Sequence, residues 1–192
     1  VGNDILDTGE GEEILNALLN LCTLVKFGST GSVSIYPPRE HCNSQGVNDI
    51  GLTPEFLAGY QPGKTSRDLF EICKDGTIKF LYIAGEDPVQ SFYKPQQVKD
   101  SLRTVPFLIV TDVFMTQTAR MADIILPSST YAEKDGTYTN MSRHIQAVAT
   151  AVLPQGTSKP DFDILIELAE TFGKPFTSSS ITEVQQEIEQ AA

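Results

Sequence analysis

Three short segments carry residue types suited to holding a polar ligand. They are Gly85-Glu86-Asp87-Pro88, Thr111-Asp112-Val113-Phe114-Met115-Thr116 and Pro127-Ser128-Ser129-Thr130, and each follows an apolar run. A glycine lets a ligand approach the backbone closely. Hydroxyls and the free N–H groups at helix starts bind phosphate. A carboxylate such as Asp112 accepts two N–H donors side by side, as the guanine edge presents them, or binds a ribose diol. The local alternatives are plainer: Asp112 caps a helix starting near Thr116, and Glu86 and Asp87 form a solvated turn. Glu133-Lys134-Asp135-Gly136 reads as a tight turn rather than a carboxylate pair, because two acids two residues apart cannot flank a substrate. Arg143-His144 could bind an anion, but one pair of this kind is weak evidence for a site. No G-x-G-x-x-G or G-x-x-x-x-G-K-[ST] run occurs, which excludes ordinary NAD and ATP sites of those types.

The elements that must position these segments are legible from periodicity. Residues 77–84 (TIKFLYIA), 107–113 (FLIVTDV) and 123–126 (DIIL) are apolar, β-rich runs. Helix candidates lie between them at 95–104 and, shorter, at 116–122. Buried strands alternating with helices predict an α/β fold with a mainly parallel sheet and right-handed crossovers. Ligands bind outside the carboxyl ends of such strands, where all three segments fall. Residues 10–26 carry Ile14, Leu15, Leu18, Leu19, Leu21, Cys22 and Val25 at helical spacing, followed by Gly28 and Gly31 as stops. A short strand is predicted at 32–36. Thr53-Pro54-Glu55 predicts a short helix ending near Gly59, and a further helix start falls at Thr65-x-x-Asp68. Residues 137–152 read as an extended excursion, 160–172 as an amphipathic helix stopped by Gly173, and Ser180-Ile181-Thr182-Glu183 as a capping box opening a last helix. The expectation is one α/β domain over 1–192. It has an N-terminal helix, strand and irregular region at 1–64, a βαβ core at 77–130, and an extended segment with C-terminal helices at 131–192.

Composition narrows the function. The 192 residues are 40% hydrophobic and 20% charged, ordinary for a globular domain. Fourteen Lys and Arg stand against 25 Asp and Glu, a formal charge of −11 with no basic stripe. This argues against nucleic acid and anionic membrane as partners. No apolar run is long enough to span a bilayer. Cys22, Cys42 and Cys73 are widely spaced with no C-x-x-C, and His41 and His144 lie far apart. Neither a disulfide scaffold nor a metal site is expected, and low cysteine use suggests a cytoplasmic setting. The chain opens at Val1 without Met, so it reads as an interior piece of a larger polypeptide.

The motifs, taken together, resemble the molybdopterin oxidoreductases. The resemblance rests on Gly85-Glu86-Asp87-Pro88, residues 107–119 (FLIVTDVFMTQTA), 122–128 (ADIILPS), 133–140 (EKDGTYTN) and Arg143-x-x-Gln146. Pro154, Gly156 and Asp161-Phe162 extend it downstream, and residues 43–51 with Pro54 and Gly59-Tyr60 upstream. Order and spacing hold along nearly the whole chain. Met141-Ser142 departs from the family pattern just before Arg143. Two branches are similar: the iron–sulfur G subunit of NADH–quinone oxidoreductase (complex I), and the alpha subunit of formate dehydrogenases. The G-subunit reading leads, with a formate dehydrogenase domain, or a scaffold that has lost its cofactor, as alternatives. The resemblance implies a Rossmann-like three-layer α/β domain of an oxidoreductase electron-transfer subunit. It implies that the domain holds the guanosine end of a molybdopterin guanine dinucleotide. By position, Gly85, Glu86, Asp87, Thr111, Asp112, Phe114 and Thr116 would line that nucleotide, with Asp112 on guanine or ribose. It further implies iron–sulfur clusters elsewhere in the parent subunit, other domains and redox subunits as partners, and no turnover by this piece alone.

Overall fold

The structure, a computed structural model, describes residues 10–27, 41–52, 56–57, 61–62, 69–178 and 180–191. The strand expected at 32–36 and the stops at Gly28 and Gly31 lie outside the described residues. Helix α1 (Gly11–Phe27) comes first, then α2 (Ser44–Asp49), a strand pair β1 (Phe56–Leu57) and β2 (Gln61–Pro62), and α3 (Leu69–Lys74). The central unit follows: β3 (Leu81–Ala84), α4 (Pro88–Ser91), α5 (Pro95–Leu102), β4 (Leu108–Asp112) and β5 (Ile124–Pro127). A hairpin of β6 (Gly136–Thr139) and β7 (Ile145–Val148) precedes α6 (Asp161–Thr171) and α7 (Ile181–Ala191).

The sheet has the order β3-β4-β5 and both pairings are parallel. This is the α/β fold that the alternation of strands and helices dictates. Pro88 and Pro95 occupy first-turn positions of α4 and α5, where a missing N–H costs nothing. Register at the start of β4 and β5 is fixed by a reciprocal pair. Asp123 Oδ2 accepts the Leu108 N–H at 2.8 Å, and the Leu108 carbonyl accepts the Asp123 N–H at 2.9 Å.

Alternation along the strands divides the core. Leu81, Ile83, Leu108 and Val110 face α4 and α5 and pack with Val89, Val98, Leu102 and Ala119. Fully burying each such aliphatic side chain contributes about 1.5–3 kcal/mol. Tyr82, Ile109, Thr111 and Leu126 point to the other face. There Phe172, at the end of α6, meets Phe80 edge-on with centroids 6.0 Å apart. The central strand β4 is buried on both faces, which is why it is apolar at nearly every position, whereas Ile124 and Ile125 of the edge strand β5 remain partly exposed.

Three expectations need revising. The short helix foreseen after Thr53 is replaced at Phe56–Leu57 by an antiparallel pair with Gln61–Pro62. The proline that suits a first helical turn equally suits an extended entry to a strand, and a two-strand ribbon pairs locally. The helix expected at 116–122 contracts to a 3₁₀ turn, Ala119–Met121. The strand expected from Thr77 begins only at Leu81, where pairing with β4 starts.

Candidate functional site

The carboxyl edge of the sheet is built by continuing its hydrogen-bond ladder one residue past each strand. Gly85 donates its N–H to the Thr111 carbonyl at 2.8 Å, and Ser128 donates to the Asp112 carbonyl at 3.0 Å. Gly85 thus follows β3 beside Asp112, the last residue of β4, and Ser128 comes one residue after Pro127, the register partner of Asp112. Gly85 has φ +65°, and a Cβ added to it would find no heavy atom within 4 Å. The position needs glycine for its backbone and leaves open space above it. Asp112 is half-buried, and one of its oxygens accepts the Phe114 N–H at 3.0 Å in an Asx turn. Among the described residues its second oxygen has no hydrogen-bond partner.

Gly85 also lines a cleft of about 630 Å³, which lies between α2 and the base of the hairpin. One wall carries His41, Cys42, Ser44 and Asn48; the other carries Tyr131, Lys134, Asp135 and Tyr138. The walls are joined by Asn43, whose side-chain oxygen accepts the Thr139 N–H at 2.9 Å. Gly46 sits behind that bond, because a Cβ there would lie 2.4 Å from Asn43 Oδ1 and 3.1 Å from Thr139 Oγ1. The Lys134 ammonium pairs with Asp161 Oδ2, and Asp161 Oδ1 accepts the Ser128 hydroxyl at 2.5 Å. That chain of contacts ties the cleft wall, the start of α6 and the sheet edge into one unit. Asp135 accepts the Thr150 N–H at 2.7 Å and its hydroxyl at 3.0 Å, which holds its carboxyl below the usual range. Glu133 is buried and completes a capping box with Thr130, accepting that residue's N–H at 2.8 Å.

At the carboxyl edge of a parallel sheet the arrangement places Gly85 beside a carboxylate oxygen without a partner among the described residues. Gly85 also lines a cleft that carries hydroxyls and Lys134, itself paired with Asp161. The chain matches the molybdopterin oxidoreductase family model over residues 1–171. It belongs to that family. It is 35% identical over 200 residues to the F420-dependent formate dehydrogenase subunit alpha of Methanocaldococcus jannaschii, covering 93% of this chain and 30% of the relative. It is 33% identical over 177 residues to the NADPH-Fe(3+) oxidoreductase subunit alpha of Geobacter sulfurreducens, covering 83% of this chain and 21% of that protein. The chain therefore spans less than a third of the length of these relatives. Among solved structures, acetylene hydratase from Pelobacter acetylenicus shares the fold, with a TM-score of 0.52 at 19% identity. That likeness covers 69% of this chain and 20% of that one.

Within this molybdopterin oxidoreductase domain, the residues singled out from sequence take different positions. Gly85 and Asp112 are placed at the open edge. Phe114 is also exposed, at 76%. Thr111 is fully buried, its hydroxyl donating to the Tyr82 oxygen at 3.0 Å beneath the sheet. Thr116 turns inward, its hydroxyl oxygen accepting the Ala119 N–H at 3.1 Å. Glu86 accepts the Ser91 hydroxyl at 2.5 Å. The Asp87 carboxylate is turned toward the loop after β4. Sequence reasoning missed the cleft itself. Asn43, Gln45 and Gly46 lie in a segment that reads as irregular, and Lys134 in one that reads as a turn. The signal available was the N-x-x-G spacing of Asn43 and Gly46, which makes sense once the glycine is seen to make room for the asparagine side chain.

Proposed function

We propose that this chain is the cofactor-binding α/β domain of a formate dehydrogenase-type alpha subunit. In this reading it holds one guanosine end of a molybdopterin guanine dinucleotide along the carboxyl edge of its sheet. The observation that carries the reading is the free oxygen of Asp112 standing beside Gly85, which also lines the cleft. Asp112 accepts N–H or hydroxyl donors of the nucleoside. The cleft, with Lys134, Ser44, Tyr131 and Tyr138, takes the anionic and polar remainder of the cofactor. Gly85 lets that ligand lie against the backbone. The donor set fits such a group: acceptors at one end, and a cation with hydroxyls at the other. When bound, the cofactor would supply two-electron redox chemistry at a molybdenum or tungsten centre. This domain binds and orients it.

The names of the relatives support the formate dehydrogenase branch, and the G-subunit branch shares the same family domain. In this reading iron–sulfur clusters and a metal-ligating residue belong to the rest of the parent polypeptide, and its redox partners are separate subunits. No helix among the described residues is long and apolar enough to cross a membrane.

The test is elemental analysis of the purified full-length parent for molybdenum and tungsten, together with fluorescence of oxidised pterin. Stoichiometric metal with pterin is the expected result. Absence of both, in a parent whose other redox centres are loaded, overturns the reading in favour of a scaffold domain.

A further inference from the structure

We propose that Asp87 is a positioning residue, which shapes the loop after β4 and does not itself touch a ligand. The proposal deepens the nucleotide-binding reading above and rests on it for one of its two measurements.

Asp87 stands at the N-terminus of α4, where an aspartate ordinarily accepts an N–H from its own helix, and it makes no such bond. Its carboxylate reaches a segment 30 residues away. It accepts the Gln117 N–H at 3.2 Å, the Thr118 N–H at 3.2 Å and the Thr118 hydroxyl at 2.5 Å. The Thr118 hydroxyl oxygen in turn accepts the Val89 N–H at 3.3 Å, so the contact runs back into α4. The 3₁₀ turn at Ala119–Met121 opens with N–H groups that the turn cannot satisfy. Asp87 takes those of Gln117 and Thr118, and Thr116 takes that of Ala119. Asp87 is therefore the cap of a turn in another segment. Thr118 is fully buried, so water cannot replace the carboxylate there, whereas the Gln117 N–H lies at the exposed edge of the clamp.

The consequence for the binding edge follows from what lies between. Val113, Phe114 and Met115 are 42%, 76% and 56% exposed. They are pinned at one end by the Asx turn of Asp112 and at the other by the Asp87 clamp. Releasing the second pin frees the loop that aims Asp112. With its carboxylate committed to Gln117 and Thr118, Asp87 acts on a ligand through Asp112.

The test uses the 192-residue chain with GDP as the probe. Asp87→Ala, Thr118→Val and the double variant are compared by calorimetry and by amide hydrogen exchange, with Asp87→Asn as the conservative variant. The expected result is that each single variant weakens GDP binding about tenfold and the double variant no further. Exchange at Gln117 and Thr118 should accelerate in all three, and Asp87→Asn, which keeps one acceptor oxygen, should recover part of both effects. Additive losses in the double variant would put Asp87 on the ligand and overturn the proposal. So would faster exchange with unchanged affinity. A wild-type chain that does not bind GDP defeats the nucleotide reading alone. The exchange rates then still decide the clamp, which falls if they do not change. If Asp87→Ala does not fold, the same comparisons are made with Asp87→Asn and Thr118→Val.

Discussion

At the scale of single residues, carboxylates serve three different purposes here, and environment alone separates them. Asp135 is fully exposed, yet the N–H and hydroxyl of Thr150 favour its charged form and lower its pKa. A folded pKa below the unfolded one stabilises the fold above the unfolded value. That contribution is lost as pH falls through the folded value. A carboxyl titration followed by NMR should show a midpoint below the usual aspartate range. In Thr150→Val the midpoint should rise only partway, because the backbone N–H remains. Asp112 keeps an oxygen free at the sheet edge. Asp112→Ala should weaken GDP binding by about ten- to a hundredfold in calorimetry, the worth of a hydrogen bond to a charged group. The thermal midpoint should hardly move, since the side chain supports only a local turn. Of these roles, the one at Asp112 was foreseeable because a carboxylate after a buried strand falls where ligands bind. The role of Asp87 was not. Its partners lie 30 and 31 residues away, and spacing along the chain carries no trace of them.

Among the secondary-structure elements, those whose periodicity is strong were the legible ones. The parallel strands and α5 and α6 match their apolar patterns, because burial on both faces of a sheet, or on one face of a helix, leaves its mark on consecutive residues. The elements that escaped are held by turns and single hydrogen bonds. The pairing of Phe56–Leu57 with Gln61–Pro62 and the packing of α2 against β6 are of this kind. α2 illustrates why. It is a six-residue helix with Gln45 and Gly46 buried, fixed to the hairpin by Asn43. Gly46→Ala should push Asn43 off the Thr139 N–H and separate the two walls of the cleft. The expected cost is about 1–3 kcal/mol, typical of overpacking in a well-fitted site. Thermal unfolding would measure it, and loss of exchange protection at Thr139 would locate it. An unchanged midpoint with Thr139 still protected would mean that the α2 backbone shifts to admit the methyl group while the Asn43–Thr139 bond stays in place.

At the scale of the whole molecule, the apolar surface that α1 leaves exposed among the described residues is the feature with the widest consequence. On α1, Ile14, Leu18 and Cys22 form a half-buried stripe. Leu19, Leu21, Leu24 and Val25 are 48%, 56%, 72% and 50% exposed. Helices apolar on most sides are ordinarily buried. The isolated chain should therefore associate as its concentration rises, and Leu21→Gln with Leu24→Gln should reduce this in sedimentation velocity without lowering the thermal midpoint. The net charge of −11 opposes that association only weakly at physiological salt, where charges are screened within about 8 Å. The sheet and the cleft also differ in how far apart in the chain their parts lie. Strand contacts such as Leu108 with Asp123 and Thr111 with Tyr82 join residues 15 and 29 apart, whereas the bond closing the cleft joins residues 96 apart. Loop-closure entropy makes the distant contact the slower to form. In pulse-labelled refolding, amides of β3 to β5 should gain protection before that of Thr139. The binding edge would then be finished while its wall is still open, which gives a bulky ligand an interval in which to enter before α2 and the hairpin close over it.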